Sequence, residues 1–222
     1  GHVLARFGDA GGLAGEKITP PTFFDARTNQ LARELISRGI GPGDVVAISA
    51  RRSAWSVLCT IAVIRSGAAF VTIDPMHPAE RRSAMVADSG ARVGLTTADA
   101  GVDAIDSDAE WIVVDDSETE LRLAGHPIAP IGPAELVRPT RVDEMAYLIY
   151  TSGSTGKPKA AAVSHRGLAN MMANQRDLLR LDETSRVLHV ASPSFDASVF
   201  ELTMAFGSAG QLVVADPRHL CR

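Results

Sequence analysis

The stretch FFDARTNQLARELISRGIGPGDVVAIS, residues 23–49, decides how the rest of the chain reads. Phe24, Leu31, Leu35 and Ile36 recur at helical spacing, and the periodic run stops at Gly39, a residue type that closes helices in a left-handed turn. GPGD then turns the chain into VVAIS, a β-branched run that predicts a buried strand. The same step recurs in SAWSVLCTIAVIRSG followed by AAFVTIDP, and in PAERRSAMVADSG followed by ARVGLTT. Each predicted helix closes on a glycine and each strand is short and apolar. The alternation predicts an α/β fold with a mainly parallel sheet flanked by helices.

Between about 115 and 142 the pattern gives way to DDSETE, read as a solvated loop, and to the proline-rich HPIAPIGPAELVRP. We read this as a connection between a first α/β half, 17–128, and a second half, 140–222. The second half resumes with MAYLIYT (strand), KAAAVS (short strand), HRGLANMMANQRDLLRL (helix), RVLHVAS (strand), SVFELTMAFGSAG (helix) and QLVVA (strand). Strands near 45–49, 69–73, 145–151, 186–191 and 211–215 are expected to be mostly parallel.

With 222 residues, 45% of them hydrophobic and 22% charged, the chain is long enough to bury a sizeable core. A net charge of -4, with arginines scattered or paired with nearby acids, as at Arg33 with Glu34, argues against a nucleic-acid footprint. Two cysteines, Cys59 in an apolar run and Cys221 near the end, argue against a disulfide framework and for a reducing compartment. The longest apolar run, VLCTIAVI at 57–64, is far short of the ~20 residues of a membrane span. A cytoplasmic protein without membrane contact is expected.

Residues 151–160, TSGSTGKPKA, stand apart from this background: they hold Lys157 and Lys159, two of only three lysines against nineteen arginines. The segment follows a predicted buried strand, where a glycine-rich loop exposes successive N–H groups to an anion. A Walker A loop is not the answer, because Thr151 stands at its first glycine position and Pro158 at its final Ser/Thr. The apolar run after Pro158 predicts strand-loop-strand. In such a loop Thr151, Ser152, Ser154 and Thr155 offer hydroxyls, Gly153 and Gly156 admit the backbone to close approach, and Lys157 or Lys159 supplies charge to a nucleotide phosphate.

YTSGSTGKPK resembles the phosphate-loop signature of adenylate-forming enzymes. IRSGAAFVTIDPMHPAERR (64–82) and SFDASVFEL (194–202) resemble two further core motifs of the amino-acid-activating adenylation domains of nonribosomal peptide synthetases. With RTNQLARELISRGIGPGDVVAI (27–48), four motifs in order extend the resemblance over nearly the whole chain. It implies a reaction in which an amino-acid carboxylate attacks the α-phosphorus of ATP and magnesium pyrophosphate leaves. The aminoacyl-adenylate then passes to the phosphopantetheine thiol of a peptidyl carrier protein. Donors and cations around the leaving group stabilise charge where it develops.

The resemblance also implies that Asp196 binds the substrate α-ammonium, that Phe195 closes the site, and that Ala197 and Phe200 line the side-chain pocket. The competing reading is that Asp196 caps a helix beginning at Ala197. Such a pocket, with one ionic anchor and apolar lining, favours an apolar amino acid. His165, His189 and the turn residue Asp74 read as structural, and no metal-ligand cluster stands out.

Two departures from the family pattern stand out. Ala160 replaces the usual glycine after PK, and the sequence stops at DPRHLCR, soon after the fourth motif. The resemblance places the adenine, ribose and magnesium motifs, and the catalytic lysine of a C-terminal subdomain, outside these residues. Hence no catalytic residue is assigned within them, and a partial adenylation domain, inactive alone, is expected. An acyl-CoA ligase fragment and a non-catalytic remnant or interaction module are the alternatives.

Overall fold

In the computed structural model, residues 4–7, 17–18, 21–152 and 158–215 are described. The chain begins with β1 (Leu4–Phe7) and β2 (Lys17–Ile18), then α1 (Pro21–Ser37), β3 (Val45–Ser49), α2 (Ala54–Ser66), β4 (Ala69–Thr72), α3 (Ala79–Ser89), β5 (Val93–Thr96) and β6 (Glu110–Val113). It continues through α4 (Ser117–Ala124), β7 (Met145–Ser152), β8 (Pro158–Ser164), α5 (His165–Leu178), β9 (Arg186–His189), α6 (Asp196–Ser208) and β10 (Gln211–Val214).

The strands form a six-stranded sheet in the order β6-β5-β3-β4-β7-β8 and a four-stranded sheet in the order β2-β1-β10-β9. Pairings are parallel except at β1/β2 and β7/β8. The expected α/β architecture with a mainly parallel, helix-flanked sheet is therefore present. The sheet crosses the proposed 128–140 division, since β7 pairs with β4.

β3 shows why. All five of its residues are buried; Val46 and Ile48 join one apolar cluster, and Val45 and Ala47 join the other. A strand covered on both faces reads as a continuous apolar run. The larger cluster gathers Leu31 and Leu35 of α1, Val57 and Val63 of α2 and Leu202 of α6 between strands of both sheets. The smaller sets Met85 and Val86 of α3 against Ala47, Val71 and Leu148.

Helix ends follow the sequence at α2, where Gly67 has φ 85° and an added Cβ would lie 2.8 Å from Thr140 Oγ1. At α6 they do not. The left-handed residue there is Ala209 (φ 55°), while Gly210 lets the backbone pass where a Cβ would lie 2.7 Å from the Ser185 carbonyl oxygen.

Two local expectations are corrected. DDSETE is not a loop: Asp116 accepts a hydrogen bond from the Thr119 N–H at 2.7 Å and starts α4, which buries Thr119 and Leu123. Arg33 does not pair with Glu34. Its guanidinium donates to both carboxylate oxygens of Glu135 at 2.7 and 2.9 Å, and to the carbonyls of Pro127 and Ala129 at 2.8 and 2.7 Å. Glu34 instead meets Arg38 and His126. The proline-rich connection is thus strapped along α1, with Asn29 and Gln30 donating to the carbonyls of Ile128 and His126.

Cys59 is buried and free, and burial drives its thiol pKa upward; Cys221 lies outside the described residues. Among the described residues no helix is long and apolar enough to cross a membrane.

Candidate functional site

The carboxyl ends of parallel strands are where α/β sheets present ligand-binding loops. β7 ends there and returns antiparallel as β8, so the lysine-bearing segment sits in a strand-loop-strand hairpin. Thr151 is exposed, and its Oγ1 donates to the Lys159 carbonyl at 3.4 Å; Lys159 is exposed as well. Ser152 is the last residue of β7, and Gly153, Ser154, Thr155, Gly156 and Lys157 lie outside the described residues. Ala160 pairs with Tyr150 in the hairpin and is not among the positive-φ residues, so alanine fits its strand conformation.

The entry to the loop is fixed from α3. The Tyr150 hydroxyl donates to Asp88 Oδ2 at 2.6 Å and lies 3.2 Å from the Met85 carbonyl. Burial, reinforced by the Asp88 charge, pushes the phenol pKa well up, so it stays a donor at physiological pH.

On the opposite face of β7, Tyr147 stacks on Phe70 of β4 with ring centroids 5.4 Å apart. Its phenol pKa is raised, first by burial and then by the charge of Asp196, and α6, which Asp196 opens, packs Val199 and Leu202 into the same apolar cluster as Tyr147 and Ile149. By strand alternation, Tyr147, Ile149 and Thr151 share this face. The helix that Asp196 opens and Thr151, the next-to-last residue of β7, are therefore on one side of the sheet.

Asp196 is the first residue of α6, exposed, with Oδ1 accepting the Ala197 N–H at 2.8 Å. The helix starts one residue earlier than expected, and Phe195 holds the cap position without a side-chain capping bond. Phe195, Ala197 and Phe200 are exposed, the two phenylalanines by 64% and 43%. A cavity of about 170 Å³ lies along another face of α6, lined by Val199, Leu202, Thr203 and Phe206 with Ile61 and Leu168, and without Asp196, Ala197 or Phe200.

The segment before Asp196 is laced to the end of β4. Asp74 keeps the turn role read from its sequence, accepting the Met76 N–H at 2.9 Å, and its other oxygen accepts the Ser192 hydroxyl at 2.7 Å. Thr72 Oγ1 donates to the Pro193 carbonyl at 2.6 Å, and Ser194 Oγ to the Thr72 carbonyl at 3.3 Å. His189 is buried and its Nδ1 lies 2.6 Å from Glu201 Oε2. Burial lowers the His189 pKa against the opposing pull of Glu201, so the neutral ring is favoured, with Nδ1–H as donor.

Sequence reasoning brought out neither Arg52, Ser192 nor Glu201, and gave Asp74 only its turn. The polar tripeptide RRS after β3 and the acid of SVFEL were visible, but not their partners.

A family model described as AMP-binding enzyme matches residues 22–222. The chain is 41% identical over 198 residues to the probable non-canonical nonribosomal peptide synthetase CymA of Salinispora arenicola (strain CNS-205), covering 88% of this chain and 2% of that protein. It is 36% identical over 197 residues to the phosphinothricin tripeptide synthetase PhsC of Streptomyces viridochromogenes, covering 88% and 17% respectively. The structure is similar, with a TM-score of 0.79 at 22% identity, to the nonribosomal peptide synthetase FmoA3 in its alpha-methyl-L-serine-AMP bound form, over 97% of this chain and 22% of that one. The last similarity speaks for the fold alone, and the chain spans only a small part of each of these proteins. With the family model matched over nearly its whole length, the chain belongs to the AMP-binding enzyme family.

Proposed function

We propose that this chain carries the phosphate loop and the ammonium anchor of an amino-acid-activating adenylation domain. The observation that supports the proposal is that the helix opened by Asp196 packs into the apolar cluster of Tyr147 and Ile149, on the face of β7 that strand alternation gives to Thr151, where the TSGSTGKPKA segment begins. In the proposed reaction a substrate carboxylate oxygen forms a bond to the α-phosphorus of ATP. The bond from that phosphorus to the pyrophosphate oxygen breaks, and pyrophosphate leaves with its magnesium.

The hydroxyls and amides of 151–156, with Lys157 and Lys159, would hold the leaving phosphates, a role that needs preorganised donors more than proton transfer. Among the described residues no three His, Cys, Asp or Glu side chains gather as metal ligands. Magnesium is assigned to the ATP substrate complex, as the family resemblance implies. Asp196 would pair with the α-ammonium while Phe195, Ala197 and Phe200 face the substrate, with an apolar side chain favoured. The adenylate would go on to the phosphopantetheine thiol of a carrier protein. Residues 17–128 and 140–222 would be two halves of this partial domain.

Amino-acid-dependent ATP–pyrophosphate exchange in the full-length protein containing this chain tests the reading, first with a panel spanning valine, phenylalanine, aspartate and lysine. Lys157→Ala should lower exchange about 10²-fold. Asp196→Ala should raise the amino-acid KM about tenfold or more and leave ATP binding in place. Exchange without any amino-acid dependence would overturn the reading. Unchanged kinetics for Asp196→Ala would return that residue to a helix-end role and reopen a fatty-acid or other carboxylate substrate.

A further inference from the structure

The peptide Val190-Ala191 leads from β9 toward Asp196, and two opposite charges grip it. Its N–H groups both donate to Glu201: Val190 N to Oε2 at 3.1 Å, and Ala191 N to Oε1 at 3.2 Å and Oε2 at 3.3 Å. Its carbonyls both accept from the Arg52 guanidinium, Val190 at short range and Ala191 at 3.4 Å. Arg52 Nε also donates to the Ala215 carbonyl, just past β10, at 3.0 Å. Arg52 belongs to the loop after β3 of the six-stranded sheet, whereas β9 and β10 belong to the other sheet. One guanidinium therefore joins the carboxyl ends of three strands across two sheets.

Glu201 is itself fixed, its side chain 12% exposed and hydrogen-bonded to buried His189. Surface loops ordinarily leave such backbone groups to water. Here two charged side chains satisfy them, and charge-assisted bonds of fixed geometry are the stronger kind. Beyond the grip the chain runs five residues to Asp196, laced to Thr72 and Asp74 on the way. A ligand-binding carboxylate works only when it is held to within a fraction of an ångström, and its neighbours must supply that rigidity.

We propose that Arg52 and Glu201 are positioning residues that set the place of the Asp196 carboxylate, and through it the preference for a substrate bearing an α-ammonium group. The proposal deepens the amino-acid reading given above and rests on it. Neither residue is assigned a contact with substrate. A grip that only stabilised the fold would, when loosened, weaken every ligand alike. A positioning grip would weaken recognition of the ammonium and spare ATP.

The test compares, in the full-length protein, the KM of the preferred amino acid, the KM of ATP and the Ki of the des-amino carboxylic acid as a competitive inhibitor of exchange. Arg52→Gln and Glu201→Gln should each raise the amino-acid KM about tenfold, the loss of a charged hydrogen bond acting through Asp196, with the other two constants within about twofold. Arg52→Lys keeps one donor and the charge but not the fork, and should recover part of the loss. If Arg52→Gln fails to fold, Arg52→Lys and Glu201→Gln carry the comparison. The proposal falls if the three constants rise together, or if amino-acid KM is unchanged. Asp196→Ala separates the two layers. If it collapses the preference for the amino acid over its des-amino analogue while the Arg52 and Glu201 variants do not, the amino-acid reading stands and the positioning role fails. If Asp196→Ala leaves the preference intact, both fail.

Discussion

β3 and β9 have similar length and parallel neighbours, yet they are held by different forces. β3 is buried along its whole length, with α1 and α2 side chains over one face and α3 side chains over the other. β9 buries Val187 and His189 and leaves Leu188 exposed, as is Val190 just beyond it. The loop after it depends on Arg52, Glu201, Thr72 and Asp74. Apolar burial builds the first region. Directed polar bonds position the second, where the ligand chemistry is proposed, so substitutions in the two should fail in different ways.

The largest effect is expected under β3. Leu35 is fully buried in the cluster that β3 shares with α1 and α2. Leu35→Ala removes buried methyl groups and leaves a cavity, which should cost about 3 kcal/mol in chemical denaturation of the 222-residue chain. Loss below 1 kcal/mol would mean that this core is loosely packed. A smaller effect is expected on the neighbouring strand. An added Cβ on Gly94 of β5 would lie 2.4 Å from the Trp111 ring of β6. Gly94→Ala must displace the indole, with an expected cost of about 2 kcal/mol, and Gly94→Ala with Trp111→Leu should recover much of it.

The contrast also explains what the sequence disclosed. Helical spacing at Leu31 and Leu35 and the run VVAIS report burial directly, because burial acts on each residue where it stands. The hairpin was legible for a related reason: two of three lysines in one decapeptide singled out the segment, and the apolar run after Pro158 read as a returning strand. α4 was hidden by the polarity of DDSETE, although Asp116 three residues before Thr119, with Leu123 beyond, was the available signal. The strap over α1 and the grip on 190–191 were not legible. Arg33 reaches Glu135 and Arg52 reaches Ala215 across 102 and 163 positions, and the groups on 190–191 are backbone, which every residue type carries. The role proposed for Asp196 came from family resemblance and from no periodicity, since an aspartate opening a helix looks the same whether or not it meets a ligand.

A pH titration of stability should distinguish the polar region next. Burial is the leading cause lowering the pKa of His189, and likewise of His77 and His165, from the ordinary 6.5. A lowered folded-state pKa means that the unfolded chain binds the proton more readily. The associated stability is complete above 6.5 and is lost as pH falls from there toward the lowered folded values. The denaturation midpoint should therefore decline between about pH 7 and 5. His189→Gln, which keeps a donor for Glu201, should flatten part of that slope. A second decline belongs below 4.5: burial works to raise Glu34, but its bonds from His126 and Arg38 outweigh it and lower its pKa. An unchanged slope in His189→Gln would show that the ring is not kept neutral by its surroundings.

The smallest effect should come from the open face of β9. Leu188 is 51% exposed and alternates away from the side that carries Val187 and His189. Shortening it therefore removes little buried surface, and Leu188→Thr introduces β-branching suited to a strand while reducing exposed apolar area. The change should stay within about 0.5 kcal/mol in the 222-residue chain. The same substitution in the full-length protein extends the comparison to its limit. If the cost rises above about 1 kcal/mol there, this face of β9 is covered by chain beyond these residues, and the strand takes on the two-sided burial of β3. If the cost stays near zero in both, the face is solvent-exposed in the whole protein, and the region leading to Asp196 rests on its polar bonds alone.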